Sequence, residues 1–476
     1  MSCFNNDFSF FDLLKSRQLN CRIVGLIIIS IWAFAASAHS SEPRERPNVL
    51  FILADDLGWG DISHHGSPAY TPNIDKLARE GVQLTQHYVM SMCTPTRVSL
   101  LTGNYASRFG EIALKPSNER VLAPGTETIA SLFASFGYDT GLSGKWHLGA
   151  LPEWGPGEYG FARSYGSLAG GVDPYTHRYK TGPYTESWHR NGKLIEEEGH
   201  ATDLIGREVV SWIREKNGPW FYYVPFTAVH TPVKVPYEYM ARYEDQSFDP
   251  NSERDVSYKT YLAYTTQMDH WIGEIRKALE ETGQLQNTVI VFSSDNGATP
   301  SSIEDVLMYP GHQLPHPRLG DNGRLRGWKR DLYEGGIRVP TFVSWGDRLI
   351  PKKLDTPVHI IDWLPTLVHL CGYEVGDRLG RELDGQDISS LIMGQGSEPQ
   401  PRDFYWKFID DSWAVRRGDW KLGFQMNFNE QVEELELFNL ARDPYENRNL
   451  AEKYSDIVEE LKTVRANFAK EDNRFQ

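Results

Sequence analysis

Val49-Leu50-Phe51-Ile52-Leu53 is an unbroken apolar run that ends abruptly in Ala54-Asp55-Asp56. Five apolar residues without polar alternation read as a strand buried on both faces. The pattern returns along the chain. Thr288-Val289-Ile290-Val291-Phe292 runs into Ser293-Ser294-Asp295-Asn296-Gly297, and Tyr138–Leu142 leads into Gly144-Lys145-Trp146-His147-Leu148-Gly149. Trp220–Phe226 leads to His230-Thr231-Pro232, and Pro340–Trp345 reads as another strand. Helical periodicity lies between these runs. Thr71-Pro72-Asn73 opens a helix carrying Ile74, Leu77 and Ala78 that Gly81 stops. Thr128 to Phe136 is a second, and Asp203 can cap a third with Ile205, Val209, Trp212 and Ile213 on one face. A long helix spans roughly Val256 to Glu281. This alternation predicts an α/β domain with a mainly parallel central sheet flanked by helices. Ligands of such sheets collect at the carboxyl ends of the strands. Asp55, Asp56, Lys145, His147, His230, Asp295 and Asn296 all follow candidate strands, so they are expected to converge.

The 476 residues suffice for a large core, and 40% hydrophobic with 24% charged residues is ordinary for a globular chain. A formal charge of -15 with no basic run argues against a nucleic-acid partner. Lys15, Arg17 and Arg22 precede an apolar run, Ile23 to Phe34, and Ala36-Ser37-Ala38 fits a cleavage site. Residues 1–38 are therefore expected to be a signal peptide, with no stable membrane anchor after cleavage and a periplasmic or secreted product. Residues 39–396 form the expected catalytic domain. After a polar linker near Gly394–Pro401, four short strands and a helix predict a small C-terminal α+β subdomain with an antiparallel sheet, residues 397–476. Trp154–His189 and Pro300–Asp321 read as surface loops walling a pocket. Asp173, His177, Arg178, Trp188, His312, His316 and Arg318 are their candidate sugar contacts.

Of four cysteines, Cys3 and Cys21 would leave with the signal, and Cys371 sits in an apolar helical stretch that reads as core. Cys93 differs: Cys93-Thr94-Pro95-Thr96-Arg97 reads as a small nucleophile at a helix start, with Pro95 suited to the first helical position. Such a start favours anions, and Arg97 adds charge. Asp55, Asp56, Asp295 and Asn296 offer hard oxygen donors suited to Ca²⁺ or Mg²⁺. Lys145, His147, Arg97, His230 and Lys329 would make a cationic cluster for a dianionic oxyanion, phosphate or sulfate, displaced in line.

Taken in order, these blocks resemble the type I, formylglycine-dependent sulfatases of the alkaline phosphatase superfamily, in their arylsulfatase B-like branch. The resemblance rests on Cys93–Arg97 with Leu101-Thr102-Gly103, Ala54–Gly58, Gly144–Gly149, His230–Pro232, Asp295–Gly297, and Arg326–Lys329 before Glu334-Gly335-Gly336. It implies that a formylglycine-generating enzyme oxidises Cys93 during export, so that an aldehyde hydrate, not the thiol, attacks sulfur. It further implies one Ca²⁺ held by Asp55, Asp56, Asp295 and Asn296 against residue 93. Arg97 and Lys145 would steady the nucleophile, His147 would take a proton on sulfate release, and His230 and Lys329 would bind sulfate. One of these last two would protonate the leaving oxygen. Thr96 stands where Ser or Ala is usual, and Asn104 where many relatives carry Arg. The expected activity is sulfate ester hydrolysis on a sulfated carbohydrate. The alternatives are a phosphodiesterase or phosphonate monoester hydrolase using the same site, and a noncatalytic glycan-binding protein.

Overall fold

The unbroken run at Val49 becomes the central strand of a ten-stranded sheet, and its side chains alternate between two cores. Val49, Phe51 and Leu53 join one, while Leu50, Ile52 and Ala54 join the other. Val289 and Val291 against Ile290 and Phe292 split the same way. The computed structural model describes residues 46–299, 320–395, 401–409, 411–427 and 433–476. The expected signal peptide, most of the linker, and His312, His316 and Arg318 lie outside the described residues.

In chain order the strands are β1 (Asn48–Ala54), β2 (Val82–Leu84), β3 (His87–Tyr88), β4 (Asp139–Lys145), β5 (Arg163–Ser167), β6 (Trp188–Arg190), β7 (Lys193–Leu194), β8 (Trp220–Pro225), β9 (Thr288–Ser294), β10 (Phe342–Ser344), β11 (Lys352–Leu354) and β12 (Val358–His359). The main sheet runs β11-β2-β10-β9-β1-β8-β4-β5-β6-β7. Its centre, β9-β1-β8-β4-β5, is parallel throughout. Antiparallel pairing enters at β10 on one side and at β6 and β7 on the other. Helices Pro72–Glu80, Ala201–Glu215 and Glu253–Glu281 cover one face, and Cys93–Thr102, Ile129–Ser135 and Trp363–Leu370 cover the other. Beyond them, β13 (Asp403–Lys407), β14 (Trp413–Arg417), β15 (Trp420–Phe424) and β16 (Leu435–Asn439) form a separate antiparallel meander with the helix Ser455–Ala469 beside it. Its Phe404, Trp406, Leu422 and Leu437 belong to the same core as Val49. No helix among the described residues is long and apolar enough to cross a membrane.

Three local expectations are corrected. Trp154–His189 is not all surface loop: β5 and the start of β6 extend the sheet there, and Tyr165 and Trp188 are buried. Strands of two to five residues broken by glycine are too short to show periodicity. Asp203 does not cap its helix. His200 does, accepting from the Thr202 N–H, while Asp203 accepts from Gln267 Nε2 (2.9 Å) and Trp271 Nε1 (2.6 Å). The helix at the signature begins at Cys93 with Met92 as its cap, so Pro95 is third, not first. It still lies in the first turn, where a missing N–H breaks no intrahelical bond.

Candidate active site

Three central strands end together. The Asp295 N–H donates to Ala54 O (3.0 Å), the Asp55 N–H to Ala228 O (2.9 Å), and the Val229 N–H to Asp55 O (2.8 Å). The backbone thus carries Asp55 and Asp56 after β1, His230 after β8, and Asp295 and Asn296 after β9 to one edge. β4 brings Lys145, and His147 follows it with a positive φ of 59°. The Cys93 helix points its start at them. Ligand atoms of Asp55, Asp56, Cys93 and Asp295 lie within 4.8 Å of one another, all buried. Cys93 Sγ is 3.6 Å from Asp55 Oδ1 and 3.9 Å from Asp56 Oδ1.

Cations hold the carboxylates. Lys145 Nζ donates to Asp55 Oδ2 at 2.7 Å, and Lys329 Nζ donates to both oxygens of Asp56 at 2.6 and 2.9 Å. Arg97 donates to Asp295 Oδ2 and to Lys145 O, both at 2.8 Å. His230 lies further off, with Nε2 3.8 Å from Asp56 Oδ2 and Nδ1 2.6 Å from Thr231 O. Burial pushes Asp55 up to about 7. Burial also pushes Asp56 up, but Lys329, His230 and Lys145 outweigh it and hold that carboxyl well below the usual range. Burial pushes the Cys93 thiol up to about 12, with Asp295 adding to it. The pocket therefore disfavours a thiolate: burial and the Asp295 and Asp55 carboxylates outweigh Lys145 and Lys329. Burial likewise lowers His147 and His230.

All the site residues expected from sequence meet here. The described sugar-contact candidates, Asp173, His177, Arg178 and Trp188, make their contacts with one another's loops instead. Asp173 is buried, accepting from the Tyr175 and Thr176 N–H groups and from Lys234 Nζ. His177 stacks on Trp188, and Arg178 pairs with Glu186 and Glu196.

Other residues position the site unannounced. Ser294 Oγ accepts from the Leu57 N–H (3.1 Å) and donates to Asn296 O (3.0 Å), fixing both turns. Asp61 accepts from the Gly58 N–H and Tyr261 OH, both at 2.7 Å. Its place six residues after Asp55 was the available signal. Asn104 donates to Glu382 O (2.9 Å) and anchors the end of the signature helix. Gly170 is the least expected: a Cβ there would lie 2.2 Å from His147 Nε2. Gly170→Ala should therefore displace the ring. Steady-state kinetics should show kcat lowered by about tenfold to a hundredfold with little change in melting temperature.

The residues fit a divalent cation. Asn296 Oδ1 is buried with no hydrogen-bond partner among the described residues, while its Nδ2 donates to Asp56 Oδ1 (2.8 Å). That orphaned oxygen beside three carboxylates is a hard donor set. The three carboxylates of Asp55, Asp56 and Asp295 balance the three cations Arg97, Lys145 and Lys329. A divalent ion would leave the pocket positive and receptive to an anion.

Fold and cluster together define a hydrolase of alkaline-phosphatase-like architecture. Residues 47–373 match the family described as Sulfatase, and residues 326–471 match the one described as N-sulphoglucosamine sulphohydrolase, C-terminal. The chain belongs to the sulfatase family and is a sulfuric ester hydrolase. It is 30% identical to arylsulfatase J of Mus musculus over 472 residues, covering 87% of this chain and 74% of that one. It is 29% identical to arylsulfatase A of Homo sapiens, covering 88% and 85%. Among solved structures it is similar to Ps i-CgsB in complex with k-i-k-neocarrahexaose, with a TM-score of 0.77, 28% identity, and coverage of 91% and 94%.

Proposed function

We propose that this sulfatase removes sulfate from a sulfated carbohydrate, using formylglycine made from Cys93 and one Ca²⁺. The observation that carries the reading is the buried meeting of Asp55, Asp56, Asp295 and Cys93 at the carboxyl edge of the sheet. The carbohydrate is supported by the similar Ps i-CgsB, whose complex holds a neocarrahexaose.

Asp55, Asp56, Asp295 and Asn296 would hold the ion, which supplies charge neutralisation for the sulfate oxygens. Formylglycine supplies a geminal diol, one hydroxyl to attack sulfur and a second to expel sulfate afterwards. The chain's own residues do the rest. Asp295, locked by Arg97, accepts the proton of the attacking hydroxyl. Lys145 and Arg97 hold the Asp55 and Asp295 carboxylates in place. Lys329 and His230 bind the sulfate, and one of them delivers a proton to the leaving oxygen. His147, neutral in its buried setting, takes the proton as sulfate leaves. A protein of this kind is exported: residues 1–38 act as a cleaved signal, residues 39–396 form the catalytic domain, and residues 397–476 form the C-terminal subdomain. Its maturation needs a formylglycine-generating enzyme.

The test is a mass spectrum of the peptide containing residue 93 after coexpression with that enzyme, beside turnover of matched sulfate and phosphate esters. An aldehyde mass and preferential sulfate release are expected. A thiol throughout in an active protein would sink the formylglycine reading, and dominant phosphate turnover would sink the sulfatase assignment.

A further inference from the structure

Two strands from Lys145 the sheet edge opens into a cavity of about 370 Å³ lined by Tyr175, Arg178, Glu186, Trp188, Glu196 and Glu197. Its position follows from register. Lys145 pairs with Ser167, and Ser167 pairs with Trp188. Neighbouring strands stand ~4.8 Å apart, so Trp188 lies ~10 Å from Lys145 along the sheet. β6 runs antiparallel to β5, which puts its first residue, Trp188, at the carboxyl edge that carries the active site. The volume falls at the small end of ligand pockets, which run from about 300 to 1,000 Å³.

The walls are built rather than loose. His177 stacks on Trp188 with centroids 4.6 Å apart and its Nε2 3.0 Å from Gly199 O. Trp188 Nε1 donates to Glu197 Oε1 at 2.6 Å, and the Tyr165 hydroxyl donates to the same oxygen at 2.5 Å. Asp173 ties the loop to Lys234 and caps the turn that presents Tyr175. Tyr175 packs edge-on against His200 yet stays 46% exposed. Its ring is a fixed apolar surface beside a row of hydrogen-bond acceptors.

The charge of the lining decides what can enter. Glu186, Glu196 and Glu197 face one cation, Arg178, which already lies 3.6 Å from both Glu186 and Glu196. A sulfate or carboxylate here would meet uncompensated negative charge. A neutral ring would not: carboxylates accept hydrogen bonds from hydroxyls, and an aromatic face suits the C–H side of a pyranose. We infer that this cavity is a subsite for a neutral, unsulfated pyranose of the same glycan whose sulfate reacts beside Lys145. The inference rests on the carbohydrate reading above and adds a rule to it: sulfate is wanted at one ring and refused at another.

The test compares 4-nitrophenyl sulfate with two sulfated oligosaccharides, one carrying an unsulfated ring beside the sulfated one and one sulfated on every ring. Tyr175→Ala should lower kcat/KM about tenfold on the first oligosaccharide and leave 4-nitrophenyl sulfate unchanged. Glu196→Lys, at a side chain 91% exposed and safe to fold, should narrow the preference for the partly sulfated oligosaccharide. Equal effects on all three substrates, or none, would overturn the subsite while leaving the sulfatase reading intact. Turnover of 4-nitrophenyl sulfate with no turnover of either oligosaccharide would overturn the carbohydrate reading and the subsite together.

Discussion

Asp55→Ala is expected to abolish the proposed Ca²⁺ binding and to lower turnover of an aryl sulfate at least a thousandfold, about 4 kcal/mol of lost transition-state stabilisation. The expectation follows from what Asp55 touches. One oxygen lies 3.6 Å from Cys93 Sγ, and the other accepts from Lys145 at 2.7 Å. Asp55 and Lys145 are both fully buried, so each is the other's charge partner away from bulk solvent. Removing the carboxylate takes a hard donor from the ion and leaves Lys145 as an unpaired buried charge. The cluster's balance of three carboxylates against three cations is lost, so the cost falls on the ion and on the lysine together. Calorimetric titration with Ca²⁺ and steady-state turnover of 4-nitrophenyl sulfate check both halves. Asp55→Asn separates them, since it keeps the volume and one oxygen while still stranding the Lys145 charge. An alanine variant that binds Ca²⁺ or turns over normally would remove Asp55 from the ligand set.

Much of this site was legible because its residues follow directly on strands that need no tertiary information to be seen. Val49–Leu53 and Thr288–Phe292 are apolar on both faces because both faces are covered. The polar residues after them can only lie at the sheet's edge. The same reasoning could not see β5 to β7, whose short runs make sense only against β4. It could not see that His200 rather than Asp203 caps a helix, because Trp271 and Gln267, more than sixty residues away, claim Asp203. Nor could it weigh Gly170, one glycine among 41 in the chain, whose importance is the 2.2 Å a Cβ would leave to His147. Local pattern encodes which residues reach the edge. Long-range contacts decide how they are held there.

One of those long-range devices joins the C-terminal meander to the active-site loop, and Lys421→Met measures it. Lys421 Nζ lies 3.0 Å from Glu334 Oε1 and 2.8 Å from Glu446 Oε1, with all three side chains fully buried. Glu334 also accepts from the Tyr88 hydroxyl (2.8 Å), and Arg338 stands 3.6 Å away. Burial pushes Glu446 up to about 7 even with Lys421 beside it. Methionine keeps most of the lysine's volume and none of its charge, so the variant leaves two buried carboxyl groups facing one another. The expected loss is about 3–5 kcal/mol in denaturant unfolding. Activity should suffer as well, because Glu334 begins the short helix Glu334–Ile337, whose Gly335 and Gly336 tie it to the segment carrying Lys329. Gly335 N–H donates to Arg326 O (2.7 Å), Gly297 N–H to Gly336 O (3.0 Å), and Lys329 N–H to Ala298 O (2.9 Å). A shift of Glu334 is therefore passed to the lysine that grips Asp56, and kcat of the folded fraction should fall along with stability. Adding Glu446→Gln to Lys421→Met removes one of the two stranded carboxylates and should recover part of both losses, a coupling a double-mutant cycle reads directly. If the double variant is no more stable than the single one, the triad is not held by charge. If stability falls while kcat of the folded protein is unchanged, the meander supports the fold without steadying Lys329.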